Sequence, residues 1–222
     1  MSEYLAAWQR LIDSDDRAGA LTRHLAFLVD SPESEGRLSA LLEKLIDVRI
    51  EEQRLELVFG YEQFDDECVV SLESPYFGDT SDAPASVAEV ARVHNGIGWE
   101  SLGGGGFGFS GFDDGCFLGG GGWEAEALTE AAQENKDFLD ELDAAGLTVD
   151  DVVSPMDYGQ NWLIWHPVKT NSRGEPALYF VSHGDCVARE VTRARDLAFG
   201  PLLLAIMAQE ILDQDVLDEV YN

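Results

Sequence analysis

The sequence predicts an α+β chain that begins with a helical segment. Three observations carry this reading. Residues 4–13, 17–30 and 37–49 place apolar side chains at helical intervals. From residue 55 the pattern changes to short runs rich in β-branched and aromatic residues, first at 55–59 and 68–72. A second group of such runs, at 161–166, 177–183 and 186–191, is joined by short polar connections, as a meander requires. Residues 1–54 are therefore assigned to an N-terminal helical segment packed on a main domain of residues 55–222. A length of 222 residues suits one large domain or a domain with an appendage.

Leu21, Leu25, Leu28 and Val29 form one stripe in the second helix, and Leu38, Leu41, Leu42, Leu45 and Val48 form one in the third. Ser31 and Pro32 separate the two, because proline disfavours helix in the residue before it. His24 lies inside the second helix with no second ligand or base nearby in sequence, and is read as structural. Residues 60–66 form a turn between the first two strands, and 74–84 a polar loop holding Asp79, Ser81 and Asp82. Residues 86–96 make a short helix. Ser86 and Glu89 have capping-box spacing, and Gly96 offers a left-handed stop. His94 in its last turn is structural or a general base; no motif places a nucleophile beside it, which favours the structural role.

Eleven glycines lie between Trp99 and Trp123. Gly106, Gly108 and Gly111 match GxGxxG formally. That fingerprint needs a hydrophobic strand before it and a helix after it, and neither is present. No GK[ST] follows, and Asp113 and Asp114 would repel phosphate, so no cofactor is expected. Glycine instead alternates with Phe107, Phe109 and Phe112, which puts those rings on one side of an extended chain, in the core. Residues 123–147 predict one long helix, apolar along Leu128, Ala131, Phe138, Leu139 and Leu142 and acidic elsewhere, ending at Gly146. His166, His183 and Cys186 give a weak zinc hint; four-ligand sites show two paired motifs, so no metal is expected. Pro201 opens a last helix, 202–212, apolar on most sides and therefore buried.

Charge narrows the function classes. The formal net charge is −29. Residues 55–168 hold 23 acidic and two basic residues, Arg92 and Lys136, whereas residues 1–54 hold 11 and 7. Such a surface repels nucleic acid and anionic membranes and attracts basic proteins. General solubility or adaptation to salt explains acidity too, but neither concentrates it in the middle of the chain. The longest apolar run, residues 202–208, is shorter than a membrane span, and the N-terminus has no signal-peptide pattern. Cys68, Cys116 and Cys186 are odd in number with no CxxC, which fits a reducing cytoplasm.

The run Pro84-x-Ser-Val-x-Glu-Val-x-x-x-His-Asn-Gly-Ile97 resembles the start of SMI1/KNR4-like domains of the SUKH superfamily. Asp157-Tyr-Gly-Gln-Asn-Trp162, the strand leading from Gly174 to His183 and a final helix over residues 197–212 are similar to that family's later half. The resemblance implies a central, mainly antiparallel sheet flanked by helices. It also implies a non-enzymatic immunity protein that binds and neutralises a basic, nuclease-type toxin. Trp99, Glu100, Asp113, Asp114, Trp123 and Asp157 are the expected partner-binding residues: carboxylates to steer and pair with Lys or Arg, indoles to anchor. The alternatives are a regulatory scaffold with no toxin partner, or a metal-dependent hydrolase using Asp113, Asp114, His166 and His183.

Overall fold

The computed structural model describes residues 2–61, 66–100, 105–119, 123–149, 153–159, 161–182 and 184–214; side chains of residues 123–126 lie outside the description. Helices α1 (Glu3–Ile12) and α2 (Arg17–His24) open the chain. The Asp16 carboxylate caps α2 by accepting from the Gly19 amide at 3.0 Å. Ser31 and Pro32 then start α3 (Pro32–Glu43). The Ser31 hydroxyl accepts from the Ser34 amide and the Ser34 hydroxyl accepts from the Ser31 amide, at 3.2 and 3.0 Å. Pro32 sits at the helix start, where its missing amide is not needed.

The helix expected over 37–49 is corrected. α3 stops at Glu43, and Leu45–Glu51 is a strand, β1, within the stretch assigned to the helical segment. It pairs with β2 (Arg54–Gly60) through a two-residue turn, Glu52-Gln53, with φ of +46° and +70°. Turns of that hand favour Asn and Gly, so Glu-Gln gave no hairpin signal.

Strand β3 (Glu67–Leu72) follows, then α4 (Ala85–Ala91), β4 (Ile97–Glu100) and β5 (Gly106–Phe109). A small separate hairpin is formed by β6 (Phe112–Asp113) and β7 (Cys116–Phe117). The single helix expected over 123–147 is two, α5 (Trp123–Glu134) and α6 (Lys136–Ala145). Asn135 divides them: its side-chain oxygen caps α6 by accepting from the Asp137 amide at 3.1 Å. β8 (Val153–Tyr158), β9 (Asn161–Thr170), β10 (Pro176–Ser182) and β11 (Val187–Glu190) form the expected later strands. Helix α7 (Phe199–Leu212) closes the described chain, buried on nearly every side as its composition predicts. It begins before Pro201, whose missing amide still falls among the unpaired N-terminal donors.

The fold is α+β. Nine strands form one antiparallel sheet, in order β1-β2-β3-β4-β5-β8-β9-β10-β11. One face is covered by α1–α4 and α7. Trp8, Leu21, Leu38, Val87 and Leu203 join Leu57, Val70, Ile97, Phe109, Leu163 and Phe180 in a single apolar core. The other face is covered by α5 and α6 over the late strands, where Leu128, Phe138 and Leu142 meet Trp162, Ile164, Tyr179 and Val181. Alternation divides the strand side chains between the cores: Leu163 enters the first, Trp162 and Ile164 the second. No described helix is long and apolar enough to cross a membrane.

Candidate functional site: an acidic groove on the uncovered sheet face

On β2–β5 the second face carries no helix among the described residues. In β3 the buried residues Cys68, Val70 and Leu72 point into the first core, so Glu67, Val69 and Ser71 point to the open face. In β4, Ile97 and Trp99 enter the core while Gly98 and Glu100 face outward. Phe107 and Phe109 of β5 go inward as expected, which leaves the glycines outward. Phe107 stacks on Trp99 at 5.7 Å, and Phe109 meets Phe199 of α7 edge-on at 5.1 Å.

Gly98 and Gly108 are directly paired across β4 and β5. Gly98 gives the groove floor bare backbone, and Gly108 is buried beside it. Gly108 has φ +116°, and a Cβ would stand 1.9 Å from the Ile97 carbonyl, so only glycine fits. The result is a groove of about 760 Å³ walled by Glu67, Glu73, Glu100 and Arg54. That volume lies within the roughly 300–1,000 Å³ typical of ligand sites.

Glu73 is held from three sides. Its amide donates to the Gly96 carbonyl at 2.9 Å. Its carbonyl accepts from His94 Nδ1 at 2.7 Å, and its carboxylate meets Arg54 Nε at 2.6 Å. Gly96 is not the helix stop expected of it, since α4 ends at Ala91 with Arg92 as its C-cap. Its role is close approach: a Cβ would lie 2.9 Å from Glu73 Cγ. Nor do Ser86 and Glu89 form a capping box. The Ser86 amide and hydroxyl both donate to the Glu175 carboxylate, at 3.0 and 2.8 Å, so the cap comes from a distant loop.

His94 is fully buried, stacked on Trp8 at 5.6 Å, and its Nε2 lies 2.8 Å from His24 Nε2. The Glu73 carbonyl only accepts, so Nδ1 carries the His94 proton and Nε2 accepts from His24. Burial pushes the His94 pKa down to about 3 and lowers that of His24. Both histidines are structural, and they pair with each other across 70 residues of sequence. His166 is also engaged. Its Nε2 lies 3.2 Å from the Ala145 carbonyl, while Nδ1 accepts from the Val168 and Lys169 amides. His183 lies outside the described residues. Among the described residues no group of three His, Cys, Asp or Glu side chains is placed to hold a metal.

Of the expected partner-binding residues, Trp99 and Glu100 line the groove together. The Trp99 ring lies in the first core, 4% exposed and stacked on Phe107, so the groove meets its main chain; its indole N–H has no acceptor among the described residues. Asp157 is half-buried on β8. It is paired with Gly108 and Trp162, so one row of the sheet runs from the groove floor through Asp157 into the second core. Asp113 and Asp114 do not line the groove. They are exposed on the small hairpin, which the 76–82 loop holds: Tyr76 Oη accepts from the Gly115 amide and Asp82 from the Phe117 amide. The side chain of Trp123 lies outside the description. Sequence reasoning missed Glu67, Glu73 and Arg54. The alternation of residues 67–73 contained the signal, for it sorts Glu67, Val69, Ser71 and Glu73 onto one face. Comparison with protein-family models, curated proteins and solved structures gives no match.

Proposed function

We propose that this chain is a non-enzymatic binding protein whose groove receives a cationic segment of a protein partner. The partner is a basic toxin domain of nuclease type, as the SMI1/KNR4 resemblance implies, held inactive in the cytoplasm. The carrying observation is the open sheet face itself. Glu67 and Glu100 are exposed there and make no ion pair among the described residues, and the backbone floor admits a close-lying chain. Helices α5 and α6, on the same side of the sheet, extend the negative surface with exposed Glu130, Glu134, Asp137, Asp140, Glu141 and Asp143. Glu67, Glu73, Glu100 and the α5–α6 carboxylates thus share one side of the sheet, while Glu89 is exposed on α4 across it. A basic domain meeting that side is steered to it, and association is accelerated at low salt.

The test seeks a basic toxin domain in the neighbouring reading frames and measures its binding by calorimetry at low and high salt. The variant Glu67→Gln/Glu73→Gln/Glu100→Gln is expected to bind about ten- to a hundredfold more weakly at low salt, at up to about 1 kcal/mol per exposed charge. Unchanged affinity in that variant would reject the reading.

A further inference from the structure

Among the described residues lining the groove, Arg54 carries the sole positive charge. It stands at the first position of β2, just after the Glu52-Gln53 turn, and its Nε contacts the Glu73 carboxylate at 2.6 Å. The two partners are not equally fixed. Glu73 is anchored by its amide, its carbonyl and its packing over Gly96. The Arg54 and Glu73 side chains are 46% and 44% exposed, so their pair is weak and exchangeable. We propose that Arg54 is an internal stand-in for an arginine of the partner, which displaces it from Glu73 when an extended segment enters the groove. This inference rests on the reading of the groove as a binding site.

Two further features specify the occupant. Gly98, paired with buried Gly108, leaves backbone without a side chain in the groove floor, on which an extended chain can lie closely. Glu73 already receives a guanidinium, whose planar fork suits a carboxylate better than an ammonium does. The occupant is therefore an arginine-bearing extended segment.

The test uses the full chain and a short synthetic peptide of alternating arginine and glycine, with lysine and citrulline counterparts, titrated by calorimetry at low salt. Wild type is compared with Arg54→Ala, Arg54→Gln and Arg23→Ala. The last removes the same charge from α2, on the opposite side of the sheet. Both Arg54 variants are expected to bind the arginine peptide about three- to fivefold tighter than wild type, the fold-change that release of one exposed ion pair allows. Arg23→Ala should change less than about twofold, because Arg23 lies across the sheet and does not line the groove. The arginine peptide should bind more tightly than the lysine peptide, and the citrulline peptide most weakly. Equal gains in the Arg54 and Arg23 variants would reduce the effect to overall charge and overturn the inference. So would weaker binding in both Arg54 variants. If no peptide binds any form, the reading of the groove as a cation site fails with it.

Discussion

Acid should unfold this protein earlier than its carboxylates alone require, because His94 is buried neutral. The unfolded chain takes a proton on this residue near pH 6.5, whereas burial holds the folded pKa at about 3. Between those values the unfolded state binds the extra proton, so stability is full above pH 6.5 and falls as pH drops toward 3. At about 1.4 kcal/mol per pH unit, lowering the pH from about 7 to 5 removes about 2 kcal/mol through His94 alone. Protonated His94 would turn a second N–H toward His24 Nε2, now at 2.8 Å, and break the contact. His24, lowered by the same burial, adds to the loss. Glu210 acts the other way, since burial raises its pKa and acid favours its folded form. The assay is urea unfolding at several pH values between about 7 and 5, on wild type and His94→Asn. The variant is less stable throughout but should lose about 2 kcal/mol less over that range, with the Glu210 contribution common to both. Equal losses would refute the reasoning, as would a His94 ring that titrates near pH 6.5 by NMR.

Replacing Glu52-Gln53 by Asn-Gly relieves two left-handed non-glycine residues, and should stabilise the chain by about 1 kcal/mol, a Tm rise of about 2–4 °C by calorimetry. Gly108→Ala should cost at least about 3 kcal/mol in denaturant unfolding, since its Cβ meets the Ile97 carbonyl; Gly98→Ala, whose nearest neighbour is 3.6 Å away, should stay within about 1 kcal/mol of wild type.

The sequence was most readable where local pattern and tertiary demand agree. Residues 55–59, 68–72 and the late meander alternate or run apolar with β-branched side chains, and all are strands. Residues 45–50 satisfied both periods. Leu41, Leu42, Leu45 and Val48 fit a helix, while Ile46, Val48 and Ile50 fit a strand. Pairing with β2 decided for the strand, and the turn that makes it lacks the usual residues. Asn135 breaks a helix whose apolar stripe continues through it, because an amide side chain that caps the next helix leaves no mark in periodicity. The groove was half readable. Trp99 and Glu100 stood out by type, but the glycines were read for the phenylalanines between them rather than for the face they leave bare. The histidine pair was beyond reach, for nothing local joins residues 70 positions apart.

That pair also explains how the N-terminal helices serve the groove. His24 is the last residue of α2, and Trp8 lies on α1. Both contact His94, and His94 in turn donates to the Glu73 carbonyl. Glu73 therefore presents its carboxylate to the groove while its backbone is fastened, through one imidazole, to helices on the opposite side of the sheet. The fastening is directional. A carbonyl accepts and cannot donate, which fixes the His94 tautomer and obliges His24 to donate. A carboxylate whose main chain is so held loses little freedom when a cation arrives, which is the condition under which an exposed charge contributes measurably to binding. Helices α1 and α2 thus support a groove wall they do not line, and this gives the first residues of the chain a physical connection to the groove.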